Sequence, residues 1–438
     1  MVSRPMRGVA TMRVGGLALA AIAAGALVSA ALAAHGAASA KRSTRIVAAS
    51  HRTFGEGAWS WFADPRAVYS RGRIVAGWVD RDKYVNIASI KTSSVYRVRI
   101  GREQHRDDHG NPALIVRPDG RISAYFSDHN GPVIYWRTTT RPGDIGSWGS
   151  LNSYHSNTPG SHGRTYPSPV HLSAEQRSWL FWRGGNWSIS YARTLSSGNW
   201  GHAHELISNP GQRPYLKETS NGRDEIDLAF TNGHPRETPA NIYFARYRHR
   251  VFYRADGSRI TTLSRLPMHP SQADEVYDAR KHGGVPAWIH DVAVDSDGNP
   301  VLVFATFRDG ARHHRYEYAR WHGGSWHRHK ITDAGGPITT SHFERYYSGG
   351  VVLDHRDPST VYASVKVGSH YEIARFRTKD GGVHWKRQWL TRDSSTDNVR
   401  PVVPRGLPKD AQDLLWMRGR YIFYTKFRTS IVGITSGR

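Results

Sequence analysis

Tyr316-Glu317-Tyr318-Ala319-Arg320 alternates large apolar and polar side chains, which is the pattern of a β-strand with one buried face. The same phrase returns along the chain with small changes. Its other copies lie at 85–89, 133–137, 189–193, 242–246, 371–375 and, in a weaker form, 430–434. Seven copies of one strand indicate a repeat protein.

A second phrase, a turn followed by an apolar strand, stands upstream of most copies. Asp119-Gly120 leads into one such strand and Asp297-Gly298 into another. The two phrases together give a period of about 55 residues with about four short strands in each repeat, which is typical of a β-propeller blade. We therefore predict an all-β fold, with a single seven-bladed β-propeller over residues 41–438. A large β-sandwich is the alternative, although it does not predict such a repeat.

The composition is that of a folded protein without disulfide bonds. The 438 residues include no cysteine, so a disulfide framework, thiol catalysis and cysteine-ligated zinc are excluded. A hydrophobic fraction of 38% with 11% aromatic residues is too high for a disordered chain. A mean hydropathy of −0.57 excludes a protein with many membrane spans.

The beginning of the chain has the pattern of an export signal. Three arginines precede an apolar run at 17–33, and small-residue cleavage patterns follow at 31–33 and 38–40. We expect a signal peptide within residues 1–40 and a secreted protein with no membrane association after cleavage. A retained membrane anchor is the alternative, but the run is short and rich in alanine.

The charge balance predicts a polyanionic partner. Lys and Arg number 60 against 36 Asp and Glu, a formal charge of +24 that falls to +21 once the three signal arginines are removed. The basic residues stand singly among glycines and aromatic residues rather than in blocks or basic helices. We therefore expect an acidic polysaccharide rather than nucleic acid.

The predicted fold places several unusual residues at one mouth of the propeller. The residues just before each inner strand line one mouth of the central channel, and the loops leaving the second strands of blades 2 to 4 lie towards it. We expect six side chains to converge there: His109, His129, Tyr166, Arg183, Tyr215 and His234. Predicted substrate contacts around this mouth are Tyr215, Arg213, Arg66, His290, Tyr347 and Arg400.

Imidazole, phenol and guanidinium groups favour elimination over hydrolysis. Glycoside hydrolysis normally uses two carboxylates, and these are sparse among the predicted mouth residues. Elimination across a uronate needs a base for the proton next to the carboxylate, a cation that binds the carboxylate, and an acid for the departing oxygen. Histidine and tyrosine suit the proton transfers, and arginine pairs with a carboxylate through two hydrogen bonds.

Each candidate also has a structural explanation. His109 and His129 are two of 24 histidines and could brace loops. Tyr166 could be a packed aromatic residue, and Arg183 could brace the next blade. His234 could be a turn residue, or a cation ligand without a second histidine at ligand spacing.

Several phrases together resemble those of the BNR-repeat polysaccharide lyases, the seven-bladed group that contains ulvan lyases and related rhamnose-glucuronate lyases. The resemblance begins near Trp59 and continues to the C-terminus. The phrases are 57–66 (GAWSWFADPR), 107–113 (DDHGNPA), 127–130 (SDHN), 166–169 (YPSP), 181–184 (FWRG) and 231–236 (TNGHPR). They are specific together and weak singly.

The resemblance implies roles for individual residues. His109 and Tyr166 match the pair that handles proton abstraction and donation, without a division between them, and Arg183 matches the residue that neutralises the uronate. His129 and Tyr215 match further motif positions. Related ulvan lyases carry a structural zinc near the position of His234 with cysteine among its ligands, which this chain lacks. We expect no required cofactor, with a structural zinc or calcium ion at His234 as the alternative.

The sequence thus predicts a secreted, monomeric lyase that cleaves a uronate-containing, rhamnose-linked polysaccharide by β-elimination. A sialidase-like exo-hydrolase is a second hypothesis, because 379–385 is close to the Asp-box turn of sialidase-like propellers and arginine is abundant. A non-catalytic glycan-binding propeller is the third.

Overall fold

Seven small antiparallel sheets form a ring in the computed structural model, which describes residues 51–436. The predicted all-β, seven-bladed β-propeller is thereby confirmed. The predicted signal peptide at 1–40 lies outside the described residues. No helix within 51–436 is long and apolar enough to cross a membrane.

The first three blades have four strands each, with the first-named strand of each blade beside the central channel. An earlier strand, β1 (Arg52–Glu56), belongs to the last blade. Blade 1 contains β2 (Ala67–Ser70), β3 (Arg73–Val79), β4 (Tyr84–Ile90) and β5 (Val95–Arg102); blade 2 contains β6 (Ala113–Val116), β7 (Ile122–Phe126), β8 (Ile134–Thr138) and β9 (Asn152–Tyr154); blade 3 contains β10 (Thr165–Leu172), β11 (Arg177–Arg183), β12 (Ile189–Arg193) and β13 (His204–Ile207).

The remaining four blades complete the ring. Blade 4 contains β14 (Leu216–Ser220), β15 (Glu225–Thr231), β16 (Ile242–Arg248), β17 (Val251–Tyr253), β18 (Arg259–Thr262) and β19 (Asp274–Tyr277); blade 5 contains β20 (Ala287–Val294), β21 (Pro300–Arg308), β22 (His313–His322) and β23 (Ser325–Gly335); blade 6 contains β24 (Val351–Leu353), β25 (Thr360–Val367), β26 (His370–Arg377) and β27 (Lys386–Trp389); blade 7 contains β28 (Asn398–Val402), β29 (Leu414–Phe423), β30 (Lys426–Ile434) and β1. Short 3₁₀ helices lie at Asp108–Gly110, Gly185–Trp187, Leu263–Arg265, Pro270–Gln272, Arg280–His282 and His342–Glu344.

The last blade is built from both ends of the described chain. β1 pairs antiparallel with β30, with Arg52 opposite Gly433 and Glu56 opposite Ser430. The outermost strand of this sheet therefore comes from the N-terminal side of the chain and the other three from the C-terminal side. This pairing closes the ring.

The repeated phrase supplies the third strand of each blade, and its fourth position is small in six of the seven copies. The fourth position is alanine in five copies, and all five are completely buried: Ala88, Ala192, Ala245, Ala319 and Ala374. The weak copy has Gly433 at this position, where a Cβ would lie 2.4 Å from the carbonyl oxygen of Leu414. The weaker phrase thus reflects a tighter contact inside the closing blade.

Blade 4 departs from the four-strand pattern. The outer edge of β16 pairs with β17 near one end and with β19 near the other, and the hairpin of β17 and β18 lies between them in sequence. Met268, which follows this hairpin, forms a parallel bridge to Ile207 of blade 3. The insertion therefore packs along the outer strand of its neighbour.

The Asp-box stretch forms a tight turn between β26 and β27. Asp380 Oδ1 accepts a hydrogen bond from the backbone N–H of His384 at 2.9 Å. Gly382 has a left-handed φ of +103°, and a Cβ there would lie 2.7 Å from the ring of Tyr318. Glycine is required here by both conformation and space.

Candidate active site

Two neighbouring blades, 2 and 3, bring the predicted catalytic residues together at one mouth. His109 lies in the 3₁₀ helix before β6, His129 in the loop after β7, Tyr166 at the start of β10 and Arg183 at the end of β11. The ring centres of His109 and Tyr166 are 5.3 Å apart, and Arg183 Nη2 lies 3.3 Å from His129 Nε2. His109, Tyr166 and Arg183 are mostly buried, whereas the side chain of His129 is 25% exposed.

The carboxylate of Asp107 accepts hydrogen bonds from the imidazole rings of both His109 and His129. Its Oδ1 accepts from His109 Nδ1 at 2.5 Å and from the backbone N–H of His109 at 2.9 Å. Its Oδ2 accepts from His129 Nδ1 at 3.0 Å. The two rings stack with centres 4.0 Å apart and planes 4° from parallel. One carboxylate therefore contacts Nδ1 of both rings and leaves both Nε2 atoms pointing away from it.

The two imidazoles have pKa values shifted in opposite directions. Burial disfavours the charged form of His109, but the adjacent carboxylate of Asp107 outweighs it and raises the pKa of His109 to about 9. Burial and the charge of His109 lower the pKa of His129 to about 4, against the pull of Asp107. At neutral pH His109 is charged and His129 is neutral, so His129 Nε2 can accept a hydrogen bond from Arg183.

Arg183 lies in a box of aromatic rings. Its guanidinium carbon is 5.2 Å from the ring centres of Tyr166 and Tyr215 and 4.8 Å from that of Trp187. Nη1 donates to the Tyr215 hydroxyl at 2.9 Å, and Nη2 also reaches Asn130 Oδ1 at 3.3 Å. The side chain is 3% exposed and its Nε has no hydrogen-bond partner. A buried guanidinium with an unpaired N–H is suited to bind an anion.

Tyr166 holds an unusual backbone conformation beside this box. Its φ is +63°, a left-handed value that costs a tyrosine about 1 kcal/mol or more and often marks functional sites. Its ring packs 5.1 Å from that of Phe62. Burial, together with the neighbouring Tyr215, raises the pKa of the phenol well above 10, so it keeps its proton at neutral pH.

Two further tyrosines form the opposite side of the site. The hydroxyl of Tyr347, in the loop before β24, lies 3.4 Å from His109 Nε2. Tyr424, in the hairpin between β29 and β30, presents its ring edge-on to His109 with centres 4.8 Å apart. Nε2 of His109 therefore faces the Tyr347 hydroxyl, whereas its Nδ1 faces Asp107.

His234 lies at one edge of the site and contacts a carboxylate and an aromatic ring. Its Nδ1 accepts from the backbone N–H of Arg236 at 3.0 Å, and its Nε2 is 3.8 Å from Glu344 Oε2. Its ring centre is 4.5 Å from that of Trp288. Burial, with the nearby charge of Arg213, lowers the pKa of His234 well below its ordinary value.

The donor set around His234 does not fit a structural zinc ion, which takes four protein ligands. His234 and Glu344 offer two. Within residues 51–436, three metal-binding side chains come together only at Asp107, His109 and His129, where Asp107 already accepts hydrogen bonds from both rings. We derive no step through a metal.

Three of the predicted substrate contacts lie beneath the surface of the site and brace it. Arg66 pairs with Asp64 at 3.0 Å, and His290 Nε2 lies 2.9 Å from the Ser348 hydroxyl. Arg400 donates to Asp108 Oδ2 at 2.5 Å and its side chain is fully buried. All three side chains therefore already pair with protein groups, and their role as substrate contacts stays a prediction.

The other predicted contacts lie at the site itself. Tyr215 accepts the hydrogen bond from Arg183, and Tyr347 lies beside His109. Arg213 pairs with Glu237 and has its guanidinium carbon 5.0 Å from the ring centre of Trp187.

The prediction overlooked four residues that contribute to the site: Asp107, Asn130, Glu344 and Tyr424. The first two stand inside phrases that carried the resemblance, directly beside the two histidines, so their position gave a signal. Glu344 and Tyr424 come from blades remote in sequence. Only ring closure brings them to the histidines.

The fold and the site together define a propeller with a histidine–tyrosine–arginine cleft at one mouth. The chain belongs to the BNR repeat-containing family, whose model matches residues 74–334.

Two characterised proteins are similar in sequence to parts of this chain. An ulvan lyase of family PL25 from Pseudoalteromonas sp. (strain PLSV) is 20% identical over 351 residues, covering 70% of this chain and 68% of the relative. A xyloglucanase from Paenibacillus sp. is 24% identical over 309 residues, which are 64% of this chain; the chain spans only about a quarter of that relative, 26% of its length.

Solved structures share the fold over nearly the whole chain. A PL25 ulvan lyase superposes with a TM-score of 0.68 at 15% identity, covering 90% of this chain and 96% of the other. The same type of enzyme, bound to -[GlcA(1-4)Rha3S]-, gives a TM-score of 0.66 at 15% identity and the same coverage. The polysaccharide lyase Uly1 gives 0.53 at 12% identity, covering 85% and 90%.

Proposed function

We propose that this protein is a polysaccharide lyase that cleaves a uronate-containing glycan by β-elimination. The observation that carries the proposal is the meeting of three groups: the Arg183 guanidinium carbon lies 5.2 Å from the ring centre of Tyr166, which in turn lies 5.3 Å from that of His109. The similarity to ulvan lyases supports the same reaction class.

The reaction needs three groups, and the site supplies each. Arg183 binds the uronate carboxylate and stabilises the negative charge that develops when the neighbouring C–H bond breaks. His109 acts in its neutral form, after its Nε2 has lost a proton to solvent: Nε2 then takes the substrate proton, the electron pair of the broken C–H bond forms a carbon–carbon double bond, and the glycosidic C–O bond breaks. The departing oxygen takes the phenolic proton of Tyr166.

The division between base and acid follows from the two pKa values. Both groups hold a proton at neutral pH, but His109, with a pKa of about 9, releases its proton more readily than Tyr166, whose pKa lies well above 10. His109 is therefore the base and Tyr166 the acid. After release of the product the proton passes from His109 to the Tyr166 phenolate, so the cycle gains and loses no net proton.

Two residues act through these groups. Asp107 orients both imidazoles, and His129 accepts a hydrogen bond from Arg183 and so fixes the guanidinium towards the carboxylate. Both are positioning residues.

The substrate class follows from the charge and the relatives. A chain with a formal charge of +24 attracts polyanions, and a related structure holds a glucuronate linked to a sulfated rhamnose. We infer an ulvan-like or gum-like polysaccharide that contains glucuronate and rhamnose. Such polymers are extracellular, in agreement with the export signal predicted in the sequence.

The proposal is tested by incubating the protein with ulvan, gum arabic and other polyuronates and following the ultraviolet absorbance of the unsaturated product. Mass spectrometry separates the reaction classes, because hydrolysis adds a water to the products and elimination does not. No absorbance on any uronate, or products that carry the added water, would contradict the lyase proposal.

The role of Arg183 has a matched control within blade 3. Arg183→Lys is expected to lower kcat/KM about 100-fold, because an ammonium cannot replace the planar donor pair. Arg193→Lys changes an arginine that also stacks on a tryptophan, Trp179, but has no contact with the site, and it should leave kcat/KM unchanged.

A further inference from the structure

We propose that Phe343, in the 3₁₀ helix before β24, forms an outer subsite on which one sugar ring of the polysaccharide stacks beyond the reacting uronate. The inference rests on the lyase function proposed above and adds that the enzyme holds a length of polymer rather than a single terminal sugar.

Phe343 is exposed in an unusual place. At 56% exposed it is the most exposed large hydrophobic residue within 51–436. The other four, Tyr96, Leu151, Leu195 and Val383, lie in or beside the third and fourth strands of their blades, on the outside of the ring. Phe343 instead lies in a loop that leads to an inner strand, where the site is built.

One face of the Phe343 ring contacts Arg236, and the residue as a whole is 56% exposed. The guanidinium carbon of Arg236 lies 3.7 Å from the ring centre. Arg236 is itself fixed, because its Nη1 donates to Glu344 Oε1 at 2.6 Å and to the backbone oxygen of Phe343 at 3.2 Å. A preorganised ring binds a ligand with little loss of conformational entropy.

The same loop connects this ring to the reacting groups. Tyr347, four residues further on, places its hydroxyl 3.4 Å from His109 Nε2. Glu344 is buried and faces His234 at 3.8 Å. The loop that carries Phe343 therefore also carries two residues that contact His109 and His234 of the site.

The surroundings of the ring match a sugar of an anionic chain. The C–H-rich face of a pyranose packs on an aromatic ring as other apolar groups do. Arg345, two residues along, donates to the backbone oxygens of Gly310 and His342 and forms no ion pair within residues 51–436. Its charge can face a sulfate or carboxylate on the stacked sugar or its neighbour.

The test compares substrates of different length. Phe343→Ala is expected to raise KM for polymeric ulvan about five- to tenfold, with kcat unchanged, and to leave KM for the shortest cleavable oligosaccharide unchanged. Phe343→Trp should restore the polymer KM, because the larger ring keeps the stacking surface. Tyr96→Ala is the control, since it removes an equally exposed aromatic ring from the outer strand of blade 1 and should change neither constant.

The outcomes separate this inference from the proposed function. An active wild-type enzyme whose polymer KM is the same in Phe343→Ala would overturn the subsite and leave the lyase intact. Equal KM increases for polymer and short oligosaccharide would also overturn it, because they would place Phe343 at the reacting sugar. If no uronate is cleaved, the lyase proposal fails, and gel retardation by immobilised ulvan, weakened by Phe343→Ala but not by Tyr96→Ala, still decides whether the subsite exists.

Discussion

Asp107 accepts a hydrogen bond from His109 with one carboxylate oxygen and from His129 with the other, so a single side chain sets the protonation of two rings. Asp107→Asn leaves one oxygen acceptor and introduces an N–H₂ donor, which forces one imidazole into the other tautomer. We expect kcat to fall about 100- to 10,000-fold and the pKa of His109 to fall from about 9. Kinetics and histidine NMR titration measure both. Asp119→Asn, on an exposed turn of blade 2, is the control.

The pH dependence of kcat/KM tests which residue is the base. The pKa of His109 is raised to about 9, so its neutral form increases as the pH rises through that value. If His109 is the base, kcat/KM rises with pH up to about 9 and then levels off. A profile that falls over the same range would make His109 the acid and would reverse the assignment of Tyr166. In Asp107→Asn the rising limb should shift to lower pH.

Most of the site could be predicted at the level of residues because its groups lie beside strand ends that the repeat locates. His109, His129, Tyr166 and Arg183 all stand in phrases that precede or follow a strand, and the structure brings them within contact distance. Burial could not be predicted in this way. Arg400 lies within an inner strand, β28, and its buried guanidinium forms an ion pair with Asp108.

The third strand of the closing blade gives a test of the ring at the scale of the element. Gly433 pairs with Leu415 on β29 and with Arg52 on β1. A Cβ there would lie 2.4 Å from the Leu414 carbonyl oxygen, so Gly433→Val must push strands apart. We expect a loss of about 1–3 kcal/mol in the free energy of unfolding, seen as a lower midpoint in denaturant.

Gly149→Ala is the control for this substitution. A Cβ at that position would meet only the Thr138 carbonyl oxygen, at 3.4 Å, and its backbone is not left-handed. Its stability should stay within about 0.5 kcal/mol of wild type. A Gly433→Val protein as stable as the control would show that the close approach of Gly433 to the Leu414 carbonyl does not limit the packing of the closing blade.

The elements that the sequence did not predict have identifiable causes. β1 carries no copy of the repeated phrase, and its role depends on meeting β30 from the far end of the chain. The hairpin of β17 and β18 had a local signal, the Asp256-Gly257 turn between two short β-type runs. The assumption of four strands per blade left no place for that hairpin. A sequence repeat therefore predicts the strands that all blades have in common better than the extra strands of a single blade.

At the scale of the whole molecule, the excess of basic residues predicts how salt affects the enzyme. A formal charge of +24 spread over many single Lys and Arg residues acts on a long polyanion at a distance, whereas a short oligosaccharide meets mainly the groups of the site. Salt screens distant charges more than contacting ones, because the Debye length is about 8 Å at physiological ionic strength.

We expect kcat/KM for polymeric ulvan to fall about tenfold between roughly 0.05 and 0.5 M NaCl, with little change in kcat. For the shortest cleavable oligosaccharide the fall should be smaller, because Arg183, which we propose binds its carboxylate, is buried among aromatic rings where screening is weak. Parallel falls for the two substrates would contradict this, and would place the salt-sensitive step in the pairing of Arg183 with the uronate rather than in capture of the polymer by the charge of the whole propeller.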